Sequence, residues 1–107
     1  MTWVVDSSGS QSATVNTEFM VDAPTTAATY LFQVDLNPML AGDTVELRVY
    51  DKIDGSNFRE VWKMTYQNPQ AQPGKSMPPI GVTTAAQFSI KQTAGTARTF
   101  PWVVRRM

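Results

Sequence analysis

Hydrophobic and polar residues alternate along most of this 107-residue chain, and this pattern limits its fold more than any other feature. In six segments apolar side chains recur at every second position, whereas the 3.6-residue period of an amphipathic helix is nearly absent. Successive side chains of a strand point to opposite faces of a sheet, so a strand with one buried face produces this alternation. The six segments are residues 13–21, 29–36, 44–52, 59–66, 86–92 and 99–104. The sequence therefore predicts an all-β fold.

Turn-forming residues separate the predicted strands. We expect Asp54-Gly55 to close a hairpin with Gly55 at positive φ, and Gly95 to turn the last hairpin. Residues 37–43 are expected to form a single helical turn. Pro101 requires an edge or a bulge in the last strand, because proline has no N–H to donate. About six to eight short strands spaced in this way predict an antiparallel β-sandwich, either immunoglobulin-like or jelly-roll.

Residues 1–107 are expected to form a single sandwich domain, since a chain of this length buries roughly 65% of its unfolded surface. Residues 1–12 form a candidate N-terminal arm or first strand, because the Ser/Gly/Gln-rich residues 7–12 are typical of a flexible joint. Four prolines make residues 67–81 a long extended loop that is ordered only if it packs against something.

The chain has neither a signal peptide nor an apolar run of the ~20 residues that a membrane span requires, so we expect a complete cytoplasmic product without a membrane partner.

The chain contains no cysteine and no histidine. These absences exclude Ser-His and Cys-His catalysis, thiolate metal sites and nearly all zinc chemistry. We therefore expect no enzyme activity, no cofactor and no metal. An enzyme that uses Asp35 and Asp43 as paired carboxylates is the remaining catalytic alternative, although turn and cap roles fit both residues better.

Residues 51–57 have some features of a calcium-binding loop. Ile53 stands at the third ligand position, where an oxygen ligand is needed, and Lys63 comes near the end, where the loop requires Glu. A hairpin turn is therefore the better interpretation.

Aromatic residues suggest a second class of function, a carbohydrate-binding β-sandwich that uses Tyr50 and Trp62. We expect Trp62 and Trp102 to lie in the core, since large aromatic side chains dominate the core of a small domain. Trp3 and Tyr50 are expected outside, where exposed aromatic side chains beside charges suit a protein interface equally well.

The charged residues are sorted along the chain although the formal net charge is zero. Residues 1–47 contain six acidic residues and no Lys or Arg, and residues 61–107 contain six basic residues and no Asp or Glu. Either acidic and basic strands become neighbours within one subunit, or the two halves form a contact that repeats between subunits. The balanced net charge also argues against a specific nucleic-acid partner.

Residues 30–36, 39–43 and 45–52, together with the ending 90–102 (IKQTAGTARTFPW), resemble short β-sandwich proteins from the structural gene clusters of tailed bacteriophages. The resemblance implies a virion protein that is made in the host cytoplasm, and in the first place a capsid decoration (cement) protein. Its implied partners are the major capsid protein and, in a homo-oligomer such as a trimer, itself. A head-tail or tail subunit is the alternative within the same group.

Such a protein docks through arms and loops rather than through a catalytic cleft. The candidate contact residues therefore come from the N-terminal arm, the Pro-rich loop and the basic C-terminus. They are Trp3, Val4, Pro73, Pro78, Pro79, Arg105 and Arg106.

Overall fold

A computed structural model describes residues 2–107, and in this range the chain contains nine β-strands and no helix. The all-β prediction is therefore confirmed. The strands are β1 (Val4–Ser12), β2 (Glu18–Asp22), β3 (Ala28–Asp35), β4 (Thr44–Asp51), β5 (Arg59–Gln67), β6 (Gly74–Ser76), β7 (Ile80–Val82), β8 (Ala86–Ala94) and β9 (Thr99–Arg106). The described part of the chain accordingly has no helix that could cross a membrane.

The strands form two antiparallel sheets that pack face to face as a β-sandwich. Sheet A has the order β1-β9-β3, and both β6 and β7 pair with the far side of β3. Sheet B has the order β2-β8-β4-β5. Apart from the β4–β5 hairpin and the β6–β7 connection, every connection crosses from one sheet to the other.

The pairing pattern is that of one long antiparallel ribbon wrapped into a sandwich. From the chain ends inward, β1 pairs with β9, β2 with β8, β3 with β7 and β6, and β4 with β5. This arrangement is the jelly roll, the second of the two sandwich types that the sequence left open. As a result, each strand of the first half of the chain lies beside a strand of the second half.

The inward-facing positions of the alternating segments form the core. Phe88 from sheet B contacts Phe32 and Tyr30 from sheet A, with ring centroids 5.4 and 6.0 Å apart and tilted planes. Tilted aromatic pairs of this kind join the two sheets through favourable edge-to-face contacts. The large buried apolar side chains of the strands are Tyr30, Phe32, Val34, Val45, Leu47, Val49, Phe88, Ile90, Phe100 and Val104.

Of the two N-terminal alternatives, an arm or a first strand, the structure has the first strand. Residues 7–12 are not a flexible joint, because they continue β1 and pair with β9 as far as Ser12 and Thr99. Gly9 lies opposite Trp102, and a Cβ at Gly9 would already be 3.5 Å from the indole ring. The small residues of this strand therefore leave room for Trp102, which is partly buried against the core rather than inside it.

Two of the predicted turns were wrong. The turn at Gly95 does not close a hairpin, because β8 and β9 belong to different sheets and the turn carries the chain between them. Residues 37–43 form two successive turns instead of a helical turn, with hydrogen bonds from Met39 N to Leu36 O and from Asp43 N to Leu40 O. Short four-residue hydrogen-bonded turns suffice here because the chain only has to cross the end of the sandwich.

The other local expectations agree with the structure only in part. Gly55 has φ 81° in the hairpin between β4 and β5, as predicted. Pro101 lies in β9, an inner strand between β1 and β3 that has no bulge at this position, so the predicted edge or bulge was wrong. Pro101 lies just beyond the last pair of β9 with β3, which joins Val34 and Trp102, so its missing N–H leaves no gap in that ladder. The first part of the segment 13–21 is a turn rather than a strand, with Asn16 at φ 67°.

The Pro-rich residues 67–81 are ordered by two short strands. β6 pairs with the end of β3 and β7 with its beginning, and Met77 between them donates a backbone hydrogen bond to Phe32 O over 3.0 Å. These backbone contacts supply the packing partner that an extended loop needs.

A buried carboxylate fastens one end of the sandwich. Asp43 is 1% exposed, and its Oδ2 accepts hydrogen bonds from Leu40 N at 2.9 Å and Arg98 Nε at 2.8 Å. Its Oδ1 accepts one from Thr96 N at 3.1 Å. Burial opposes ionisation, but the hydrogen bonds from Arg98 and the backbone hold the pKa of Asp43 below its usual range. Asp43 therefore ties the turn before β4 to the turn before β9.

Replacing Gly95 by alanine should destabilise this end of the sandwich strongly. Gly95 has φ 91°, and a Cβ there would collide with the Asp43 carboxylate and lie 2.7 Å from its Cα. Backbone strain plus this collision should lower the free energy of unfolding by about 2–4 kcal/mol in urea titrations.

The matched control is Gly55→Ala, which has a similar φ of 81° but no atom within 4 Å of the added Cβ. Gly55→Ala should lower the free energy of unfolding only by the backbone strain of a positive φ, about 1–2 kcal/mol. Equal losses for the two variants would show that the contact with Asp43 has no energetic role.

Candidate protein-docking surface

The structure brings six of the seven predicted contact residues to one end of sheet A. Val4 pairs with Arg106, Arg106 with Tyr30, and Tyr30 with Ile80, so one register row crosses four strands. With strands about 4.8 Å apart, this row is roughly 14 Å long. The six residues at or beside it are Trp3, Val4, Pro78, Pro79, Arg105 and Arg106.

Pro73 lies at the other end of sheet A, where its carbonyl accepts a hydrogen bond from Leu36 N at 2.8 Å. Arg106 faces inward, with its Nε 3.5 Å from Asp6 Oδ1, and is therefore engaged within the chain. Arg105, its neighbour, points to the outer face. The contact roles of all seven residues stay predictions.

The outer face of sheet B, here called the charged face, carries six ionised side chains. Arg48 lies at its centre, 3.1 Å from Glu46, 3.7 Å from Glu18 and 3.5 Å from Glu60. Lys63 Nζ is 2.9 Å from Glu46 Oε2. The residues of this face include Glu18, Glu46, Arg48, Tyr50, Glu60, Lys63, Thr65, Ser89 and Lys91.

Hydrogen bonds fix the acidic groups of the charged face. Tyr50 and Ser89 donate their hydroxyl protons to Glu18 Oε2 over 2.7 and 2.6 Å. Burial raises the pKa of Glu18, but the bonds from Ser89 and Tyr50 and the charge of Arg48 outweigh it and hold that pKa below its usual range. The three carboxylates and the three cations of this face balance, so it offers little uncompensated charge to a partner.

The sorted charges of the sequence are paired within the chain in three places that join its two halves. The pairs are Asp6 with Arg106, Asp43 with Arg98, and Glu46 with Lys63. Glu18 also lies directly opposite Lys91 in the ladder between β2 and β8. This favours internal pairing over a charged contact between subunits.

The outer face of sheet A, here called the neutral face, differs sharply from the charged face. Its outward-facing strand positions include only two charged residues, Arg105 and Asp35, one of each sign. The remaining positions are apolar or carry hydroxyl and amide groups. The central residues of the neutral face are Val5, Ser8, Ser10, Leu31, Gln33, Pro101, Val103 and Arg105.

An apolar centre surrounds Arg105 on this face. Val5 lies opposite Arg105 in one ladder and Leu31 in the other, and Val5 is 52% exposed. Arg105 Nε donates a hydrogen bond to Gln33 Oε1 over 3.2 Å, which orients the guanidinium along the sheet. An apolar centre with an arginine and a polar rim is a composition that protein interfaces use.

A shallow depression of about 470 Å³ adjoins the neutral face. It forms because β3 pairs with β9 only as far as Val34 and then continues beside β6, where Asp35 lies opposite Gly74. Pro101 and Trp102 border it on the other side. The depression gives this face a concave element that a convex loop of another protein could fill.

The sequence prediction missed Val5, Leu31 and Val103. A signal was present, since Leu31 and Val103 are apolar residues at positions of their strands where the alternation calls for polar ones. Isolated exposed apolar residues are common on protein surfaces. Only the sheet order places these three side chains around one arginine.

The aromatic pair proposed for sugar binding does not form a platform. Tyr50 points outward from sheet B and bonds to Glu18, whereas Trp62 pairs with Val49 and packs on the core side of the same sheet. Two side chains on opposite faces of one sheet cannot stack on a common sugar ring. Trp62 is partly buried, as a border residue of the core.

The carboxylates considered for catalysis serve as caps, as expected. Asp35 accepts a hydrogen bond from Asn37 N at 2.9 Å, and Asp43 is held by Arg98 and its neighbouring turns. In the hairpin, Asp54 accepts the backbone N–H groups of Asn57 and Ser56, which lower its pKa. Among residues 2–107, no three acidic side chains are grouped so that they could hold a metal ion.

A second pair of carboxylates lies where β1 of sheet A meets β2 of sheet B. Asp22 Oδ2 is buried without a hydrogen-bond donor, and Asp6 is the side chain that faces it. Arg106 and the Tyr30 hydroxyl border the same cluster. Burial first, and the neighbouring Asp6 second, raise the pKa of Asp22 from its ordinary 3.8 to about 7. The protonated form of the Asp22 carboxyl is therefore favoured at this edge of the sandwich.

Comparison of the chain with protein-family models, with curated proteins and with solved structures finds no match in any of the three. The function must therefore be inferred from the surfaces themselves.

The Asp6–Asp22 pair should make stability fall as the pH rises. Because the folded pKa of Asp22 is raised, its stabilising protonated form is retained at low pH and lost between about pH 4 and 7. The Asp22→Asn variant has no carboxyl group at this position, so it avoids the free-energy cost of ionising a buried carboxyl as the pH rises. Since Asp22 is partly exposed to solvent, we expect Asp22→Asn to be about 1–2 kcal/mol more stable than the natural chain at pH 8.

Urea titrations from pH 5 to 8 measure this difference, and Asp35→Asn serves as the control because Asp35 is exposed to solvent. A constant difference in the free energy of unfolding between Asp22→Asn and the natural chain over this range would contradict the raised pKa of Asp22.

Proposed function

We propose that this chain is a non-enzymatic structural protein of a bacteriophage virion, a capsid decoration protein whose neutral face docks on the shell of the major capsid protein. The observation that carries the proposal is the contrast between the two outer faces. One face neutralises its own charges through a hydrogen-bonded network. The other presents Val5, Leu31 and Val103 around Arg105 with few charges, as a docking surface does.

The fold agrees with this proposal by analogy. Jelly rolls form many viral capsid domains, although lectins and cupins use the same fold, so the fold alone does not decide the function. The resemblance of residues 30–52 and 90–102 to phage structural proteins favours the capsid among these uses.

A structural role also agrees with the available chemistry. The chain has no His or Cys, and its best-buried carboxylate, Asp43, is held in an ion pair that links two turns. A group fixed in this way stabilises the fold and is poorly placed to transfer protons. The expected location is the virion, after synthesis in the host cytoplasm.

Charge placed at the centre of the neutral face should abolish docking. Val103→Lys and Leu31→Lys put a cation next to Arg105, and we expect at least about a tenfold loss of affinity for purified shells that lack the protein. Thr65→Lys is the matched control, because Thr65 is exposed on β5 in the charged face. Co-sedimentation with the shells measures occupancy, and circular dichroism confirms that each variant is folded.

If the Thr65→Lys variant loses binding while both neutral-face variants retain it, the docking face has been assigned to the wrong sheet.

Mass spectrometry of intact particles tests where the chain is located in the virion. Copy numbers proportional to the major capsid protein support decoration, whereas one small fixed ring per particle would assign the chain to the head-tail region or tail.

A further inference from the structure

The sandwich has two lateral sides at which the sheets end in free edge strands. On one side these strands are β1 and β2, and on the other they are β5 and the short strands β6 and β7. Free strand edges expose unpaired backbone N–H and C=O groups, which readily pair with another chain unless they are protected. Both sides carry apolar residues at the same end of the sandwich.

On the second side, the seam between β5 and β7 forms a small apolar groove of about 170 Å³. A bulge in β5 opposite Val49 turns both Val61 and Trp62 toward this seam. Pro78 and Pro79 form the outer wall of the groove and are exposed.

On the first side, the beginning of β1 presents a run of apolar residues. Val4 is 50% exposed and Val5 is 52% exposed, and Trp3, which precedes them, is only partly buried. The groove on the opposite side is of a size that one or two of these side chains would fill.

The apolar run and the groove occupy the same register row of sheet A. Val4 begins the row on one side and Ile80, next to Pro79, ends it on the other. A second copy placed beside the first, so that the row continues, would therefore bring its Val4 to the groove of its neighbour.

We propose that this chain associates with itself head to tail, with the Trp3–Val4 segment of one copy seated in the Pro78–Pro79 groove of the next. The two halves of the contact lie on opposite sides of one copy, so the contact is heterologous and each copy offers one of each half. Depending on the rotation between copies, it produces a closed ring or an open chain.

The contact is apolar rather than ionic. The main cations and carboxylates that could have formed a charged contact are already paired inside the subunit, as Asp6–Arg106 and Glu46–Lys63 show. We therefore expect association to persist or strengthen when the salt concentration is raised, whereas a contact between sorted charges would weaken.

A mixing experiment tests this arrangement. Val4→Asp damages only the inserted segment, and Pro79→Asp damages only the groove. Each variant alone should be monomeric in analytical ultracentrifugation at concentrations where the natural chain is oligomeric, with an association constant at least about tenfold lower. Mixed in equal amounts, the two should form a heterodimer, because the intact segment of one meets the intact groove of the other.

The outcomes discriminate clearly. A natural chain that remains monomeric up to millimolar concentration, or variants that still associate, would overturn the proposal. Monomeric variants that give no heterodimer on mixing would show that the contact is not heterologous, which also overturns it. Thermal melting of each variant confirms folding, and Thr65→Lys, which lies outside the contact, should associate normally. Shell-binding by the neutral-face variants is measured separately, so neither proposal depends on the other.

Discussion

The antiparallel pairing of the first half of the chain with the second half is the constraint on which the rest of the structure depends. It sets β1 beside β9, β2 beside β8 and β4 beside β5, so residues far apart in sequence meet in register. The acidic residues of the first half thereby reach the basic residues of the second, as in Asp6–Arg106 and Glu46–Lys63. The charge sorting along the sequence is thus a consequence of a long folded ribbon, in which opposite charges on paired strands stabilise the correct register.

The same pairing gives the two outer faces different characters. Sheet B collects Arg48 and three glutamates into one network on its outer face, whereas the outward positions of sheet A are mostly serines and small apolar side chains. Burying the paired charges of sheet B in an interface would cost free energy, whereas a face with few charges and an apolar centre loses little on desolvation. This difference is the physical reason for proposing that docking uses sheet A.

Much of the fold could be predicted from the sequence. Alternation located six of the nine strands and the core residues, such as Phe32 and Phe88, because burial of one sheet face is a local periodic requirement. The alternation missed β1, because the serines and the glycine of residues 7–12 have the composition of a linker. Only the structure shows that these small residues make room for Trp102, which packs over Gly9. It also missed the neutral face, because Val5, Leu31 and Val103 come from three strands that only the sheet order brings together.

The sequence by itself determined the all-β class, the sandwich, the hairpin at Gly55 and the absence of the residues for histidine or cysteine chemistry. These follow from local periodicity, turn chemistry and composition. Only the tertiary structure decided between a jelly roll and an immunoglobulin-like sandwich, paired Asp6 with Arg106, and separated Tyr50 from Trp62. The reason is that strand order and register depend on contacts between distant segments, and a period of two leaves those pairings open.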